Sequence, residues 1–141
     1  MVTLHCSVCG APYTGNTNKY VCPHCGASIE PGLDLSAQRE RARALLCSGG
    51  TGSGIWRYRA MFPGMDNIAP ITMGEGDTPL QRADKLEAAY GIARLYLKDE
   101  TLNPTGTYKD RFATLALSQF RAEKASAVAL GSAGNAGSAV A

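Results

Sequence analysis

No apolar run in this 141-residue sequence is long enough to cross a membrane, which excludes a membrane-spanning helix. A dominant charge is lacking too: 14 lysines and arginines face 12 aspartates and glutamates, a formal balance of +2. No basic stripe is interleaved with aromatics, so this slight excess is no argument for nucleic acid. Histidines number only two, His5 and His24, and no secretory signal precedes the cysteines. The missing signal weakens a disulfide reading, because a cytosol keeps thiols reduced. What remains has the average apolar content of an ordinary soluble protein, expected in the cytoplasm.

Cysteine is where the sequence becomes specific. Cys6-Ser7-Val8-Cys9 and Cys22-Pro23-His24-Cys25 are two pairs, each followed by glycine (Gly10 and Gly26). Glycine there suits a knuckle turn in which backbone amides point at thiolate sulfur. Four thiolates at this spacing suit a tetrahedral structural Zn2+ site with Cys6, Cys9, Cys22 and Cys25 as ligands. The same ligands admit a rubredoxin-type iron site. The spacer is slightly short for such a site but can form a hairpin, with strands over residues 2–5 and 19–22 and a turn at Gly15, Asn16 and Asn18. His5 and His24 abut the cysteines as turn residues or neighbours of the ligands. Cys47 lies outside the pattern and reads as a buried or incidental thiol. Many such ribbons bind nucleic acid, but the sparse charge of this one, Lys19 and Glu30, argues against it.

Composition shifts divide the chain into a ribbon (residues 1–30), a helix with a Gly/Ser-rich linker (31–54) and the beginning of a larger domain (55–141). Pro31-Gly32 breaks the chain, and a helix is expected over residues 34–46, capped by Asp34 or Ser36. Arg39, Glu40, Arg41 and Arg43 solvate much of it. Residues 48–54 read as a flexible linker. Residues 55–63, with Trp56, Arg57, Tyr58 and Arg59, read as an arm packing on a domain surface. A strand entering a glycine-rich turn (71–80), a helix (83–90) and a strand (94–98) follow. Next come a helix from Lys109, a buried strand (125–130) and a helix-like end (138–141). The alternation predicts an α/β fold with a mainly parallel sheet.

Lys109 is oddly placed. On a helix it shares a face with Phe112, Ala113, Ala116 and Phe120, an apolar stripe. It also falls in the first turn, where the helix dipole disfavours a cation. Both effects favour the neutral, nucleophilic amine. By periodicity alone the plainer reading is a surface lysine whose stem covers apolar area. The preceding residues favour the reactive one. Asn103-Pro104 is a turn pair, Gly106 can adopt backbone angles closed to other residues, and Thr107 with Asp110 fits a capping box. Further on, Gly131-Ser132-Ala133-Gly134-Asn135-Ala136-Gly137 lies between a strand and a helix start, a natural place for an anion. Its glycine spacing does not fit the dinucleotide pattern.

The run Asn103-Pro104-Thr105-Gly106-Thr107-Tyr108-Lys109 closely resembles the cofactor-lysine motif of the pyridoxal-phosphate enzymes of the tryptophan synthase β-subunit superfamily, fold type II. The resemblance implies that Lys109 is the catalytic lysine bonded to pyridoxal 5′-phosphate. It implies further that Asn135 hydrogen-bonds the cofactor's ring oxygen, and that Ser132, Ala133, Gly134 and Ala136 line the loop holding the substrate carboxylate. The family's common form has phenylalanine where this chain has Tyr108, and often threonine or histidine where it has Ala136.

Three features precede that motif in order: the cysteine ribbon, the Trp56–Arg59 arm and the turn Gly74-Glu75-Gly76-Asp77-Thr78-Pro79-Leu80. Together they are similar to the threonine synthase family, whose reaction converts O-phosphohomoserine and water to threonine and phosphate. The implied partner is a small phosphorylated amino acid, with no nucleic acid and no membrane, and a homodimer left open. The residues that such enzymes use for the cofactor phosphate and ring nitrogen fall beyond Ala141. The chain is therefore expected to be an N-terminal fragment that lacks a complete cofactor site. Serine/threonine dehydratase or cysteate synthase chemistry, and a non-catalytic zinc-ribbon interaction protein, are the alternatives.

Overall fold

The computed structural model describes residues 3–13, 20–32, 34–50, 52–62 and 64–141. They fall into two units, Met1–Gly50 with Tyr58–Asn67, and Thr51–Arg57 with Ile68–Ala141. In the first, β1 (Thr3–Cys6) is the middle strand of a three-stranded antiparallel sheet between β2 (Pro12–Tyr13) and β3 (Ile29–Gly32). The expected pairing of residues 2–5 with 19–22 is not the one formed. Each cysteine knuckle folds its own chain back, through Cys6 N–H to Ala11 O (3.0 Å) and Cys22 N–H to Ala27 O (2.7 Å). The strand after a knuckle therefore returns beside the strand before it. Val21 pairs with Ser28 in an isolated bridge, while β1 takes β2 and β3 as neighbours. The turn expected at Gly15, Asn16 and Asn18 lies outside the described residues, as do Val2, Lys19, Thr51 and Pro63.

Helix α1 (Leu35–Ser48) starts where the sequence places it. Asp34 Oδ1 accepts from the N–H groups of Ser36 (2.9 Å) and Ala37 (3.0 Å), satisfying amides that no preceding turn can reach. It runs two residues past the expected end at Leu46 and stops at Gly49, whose φ of 72° suits glycine. Within the same unit, Arg41 reaches the carbonyl of Ala60 at 3.1 Å.

Gly54 does not behave as a linker residue. Its N–H bonds Asp77 Oδ2 at 2.7 Å, and its backbone lies so close to Glu75 that an added Cβ would meet the Glu75 carbonyl oxygen at 1.9 Å. Gly76 is the reciprocal contact: a Cβ there would lie 2.8 Å from Gly54 Cα. Two glycine-bearing turns touch backbone to backbone, and a 3-10 helix (Gly54–Met61) departs from the contact with Ile55 and Trp56 buried. Arg57 secures the start of this helix to Asp77 at 3.3 Å.

In the second unit β4 (Leu80–Arg82) and β5 (Tyr96–Lys98), joined through α2 (Asp84–Tyr90), pair antiparallel. Ala83 N–H to Leu95 O (2.9 Å) and Asp99 N–H to Pro79 O (3.0 Å) extend the ladder at both ends, giving a wide hairpin. The protein is thus α/β, but the strand pairings of the described residues are antiparallel, in place of the mainly parallel sheet expected. Two expected strands are irregular. Residue Ile71 gives its N–H to the Ser118 hydroxyl of a helix (2.7 Å), and residues 125–130 form no ladder among the described residues. A short 3-10 turn (Glu100–Leu102), α3 (Lys109–Ala122) and α4 (Asn135–Val140) complete the unit, with α3 packed on α4. No helix among the described residues is long and apolar enough to cross a membrane.

Candidate metal centre and active site

The knuckles bring Cys6, Cys9, Cys22 and Cys25 together, with all four sulfurs within 4.8 Å of one another. Cys6 and Cys25 Sγ lie 3.4 Å apart, and Cys9 and Cys22 Sγ 3.7 Å apart. A tetrahedron with metal–sulfur bonds of about 2.3 Å has edges of roughly 3.8 Å, so the set fits a bound metal ion. Positive φ at Gly10 (70°) and Gly26 (75°) lets each turn close by its Gly N–H to the carbonyl of Cys6 (3.1 Å) or Cys22 (2.9 Å). The N–H groups of Val8 and Cys9 both point at Cys6 Sγ at 3.4 Å. Those of Cys9 and Val8 hold the Cys6 thiol below its ordinary range. A group that the sequence does not single out joins the site: Tyr13 Oη donates to Cys22 Sγ at 3.1 Å. That bond, aided by backbone N–H groups of His24 and Cys25, brings the Cys22 thiol down to about 6 against the opposing effect of burial. It also pushes the Tyr13 hydroxyl up. Cys47 is exposed, not buried.

Lys109 opens α3, half-buried. Of the apolar stripe expected on that helix, only Ala113 is fully buried. Phe112 and Phe120 are 56% and 37% exposed, whereas Asp110, Ala113, Thr114 and Ser118 are buried. A polar row at i, i+4, i+8 faces inward because the turns around α3 present groups that need partners. Glu75, fully buried, accepts from Thr114 Oγ1, Thr72 Oγ1 and Met73 N–H, each at 2.9 Å. Ser118 takes Ile71 N–H. Asp110 accepts from Thr105 N–H (2.8 Å) and from the Thr105 hydroxyl. This also revises the capping box: the Asp110 carboxylate closes the loop before the helix on Thr105, and Thr107 Oγ1 takes the N–H of Lys109 at 3.3 Å.

A second carboxylate gathers the remaining groups. Glu100 receives both Nε and Nη2 of Arg111 at 2.8 Å, Thr78 Oγ1 at 2.6 Å and Asn103 Nδ2 at 2.9 Å. The forked Arg111 contact, helped by Thr78 and Asn103, holds the Glu100 carboxyl down to about 2. Asn103, itself buried, accepts from Gly76 N–H at 2.9 Å. Lys98 Nζ donates to the Thr78 carbonyl. The turn through residues 74–80 and the segment through residues 99–114 are thereby stitched into one polar core. The sequence does not single out Glu100 and Arg111, and it offers Glu75 and Thr78 only as members of the glycine-rich turn, with no role for their side chains. The available signal was a glutamate between two glycines, where a surface turn has no need of one.

A cavity of about 610 Å³ opens against this core, a size suited to a small ligand. Its wall includes Gln81, Leu97, Lys98, Asp99, Glu100, Thr101, Gly106, Thr107, Tyr108 and Asn135. Of the residues expected to bind cofactor, Asn135 lines it. Lys109 follows directly on the wall formed by residues 106–108 without itself being among the lining groups. Ser132, Ala133, Gly134 and Ala136 are not part of the wall. Ser132 Oγ instead holds its own loop, accepting from Gly134 N–H (3.2 Å) and Gly137 N–H (3.0 Å). The cavity carries the Asn135 amide on its wall, and Lys109 comes next in the chain after the wall residues 106–108; an amide and an amine are donor types that pyridoxal phosphate takes.

Comparison with known proteins follows the same line. The family described as pyridoxal-phosphate dependent enzyme matches residues 71–141. Threonine synthase of Methanosarcina acetivorans is 33% identical over 141 residues, covering 100% of this chain and 34% of its own length. Threonine synthase of Methanocaldococcus jannaschii is 33% identical over 137 residues, 92% of this chain and 32% of that one. Threonine synthase of Mycobacterium leprae is 42% identical over 81 residues, 57% and 22% of the two chains. The chain thus spans about a third of the length of the first two relatives. No solved structure matches it at a significant level.

Proposed function

Since this chain belongs to the family of pyridoxal-phosphate-dependent enzymes, we propose that it serves in a lyase converting O-phosphohomoserine and water to threonine and phosphate. The observation that carries the reading is the placement of Asn135 and the Lys109 approach on one ligand-sized cavity, in a chain similar to threonine synthases. When bound, pyridoxal phosphate supplies an electron sink for the carbons beside the substrate's amino-bearing carbon. Lys109 would hold it through Nζ, and the same amine would take and return protons at the substrate's amino-bearing carbon and the carbons next to it. Asn135, which lines the cavity, would donate its amide hydrogen to the ring oxygen. Over the whole reaction the C–O bond to phosphate breaks and the oxygen of water adds to the neighbouring carbon.

Cys6, Cys9, Cys22 and Cys25 hold a structural Zn2+ in this reading, supported by their close approach and by the N–H and O–H donors aimed at sulfur. Free thiols suit a reducing compartment such as the cytoplasm.

The intact protein is expected to show the visible absorbance of bound pyridoxal phosphate and to release phosphate from O-phosphohomoserine, and Lys109→Ala is expected to abolish both. Bound cofactor without phosphate release would move the reaction to dehydratase or cysteate synthase chemistry. Absence of bound cofactor in the native protein would overturn the reading.

A further inference from the structure

We infer that Glu100 is a positioning residue for Lys109, setting the direction in which the amine leaves its helix; this rests on the reading of Lys109 given above. Four donors from three residues on two stretches of chain converge on its carboxylate: Arg111 Nε and Nη2, Thr78 Oγ1 and Asn103 Nδ2. Arg111 lies two residues past Lys109, so the two side chains leave the first turn of α3 in nearly opposite directions. Holding the planar Arg111 fork at two points against Glu100 therefore fixes the rotation of that turn about its axis. Lys109 is turned with it. The loop leading into the turn is fixed independently. Asn103 ties it to Gly76, and Asp110 closes it on Thr105. Glu100 is also a wall of the cavity that Asn135 lines, so the residue that fixes the helix start borders the space into which the lysine must reach.

A carboxylate that merely stabilised the fold would act on stability alone. A positioning residue predicts two opposite changes at Lys109. The test variant is Glu100→Asp, which keeps the charge but draws the carboxylate back by one methylene. Thr78→Val, which removes a single donor without changing size, serves if the first does not fold. Folding is judged by circular dichroism of the intact protein.

The first readout needs no cofactor: competitive acylation of lysines, quantified by peptide mass spectrometry with exposed Lys85 and Lys124 as internal references. Lys109 labelling is expected to rise at least about threefold relative to both references as the helix start loosens. The second is the rate at which pyridoxal phosphate becomes bonded to Lys109, expected to fall about tenfold. With substrate, kcat is expected to fall by on the order of 10²-fold while KM changes little, as for a misplaced reacting group. Unchanged Lys109 labelling in a folded variant would overturn the inference. So would loading and turnover at the native rate. Failure of the native protein to load at Lys109 would count against the enzyme reading instead, and the labelling ratio would still decide the role of Glu100.

Discussion

The carboxylate of Glu75 accepts a hydrogen bond from the hydroxyl of Thr114, 39 residues away, at 2.9 Å, with both side chains buried. Thr114→Val keeps the volume and removes the donor, leaving a buried carboxylate oxygen short of a partner. That substitution is expected to cost about 1–3 kcal/mol of unfolding free energy, read as a lower urea midpoint with unchanged slope. A midpoint equal to the native one would show that the carboxylate finds another donor.

Glu100 gives the fold an acid-sensitive joint. Its carboxyl titrates at about 2 in the folded chain against an ordinary value of 4.5, so the folded state favours the charged form. Such a group stabilises fully above the unfolded value, and the contribution is lost as the pH falls from there through about 2. Glu100→Gln is expected to be less stable than native at neutral pH, with the difference shrinking below pH 4.5. Unfolding free energies from pH 7 down to about 3 test this. A difference that stays constant across the range would contradict it.

The glycine pair at the base of the arm predicts a contrast. At Gly54, with φ of 57°, a Cβ would collide with the Glu75 carbonyl; at Gly49, with φ of 72°, nothing lies within 4 Å. Gly54→Ala is expected to cost about 3 kcal/mol or more, from overpacking added to backbone strain, and Gly49→Ala only about 1 kcal/mol from strain alone. Thermal denaturation of the two variants ranks them, and equal costs would remove the close approach of the two turns.

For the cysteine set, Cys22→Ser is expected to abolish stoichiometric zinc, measured by elemental analysis of the purified protein. Tyr13→Phe deletes the hydroxyl that bonds Cys22 Sγ and leaves the ligands in place. It is expected to lower metal affinity by about 10-fold, the lower end for groups that orient a metal ligand, in a chelator competition. Iron in place of zinc would reassign the metal, and a folded metal-free protein would remove the site.

The parts readable from the sequence were those with local physical causes. The cysteine spacing and its two following glycines assemble one sulfur cluster; Asp34 caps α1; the approach to Lys109 is a fixed turn. The parts that escaped depend on partners distant in the chain. Asp110, Thr114 and Ser118 recur at helical spacing as polar residues, a pattern that reads as a solvated face. Only the arrival of Thr105, Glu75 and Ile71 turns that face inward. The pairing of β4 with β5 escaped for a similar reason, since helix-separated strands suggest a parallel crossover and the direction is set by bonds at both ends of the ladder. Gly54 read as a linker residue because composition cannot report that another backbone lies against it.

The central claim is that Lys109 carries the cofactor. Borohydride reduction of the native protein incubated with pyridoxal phosphate, followed by peptide mapping, tests it most directly. The account predicts one stable phosphopyridoxyl adduct at Lys109, with Lys98 and Lys85 unmodified. An adduct at another lysine, or none at all, would contradict it.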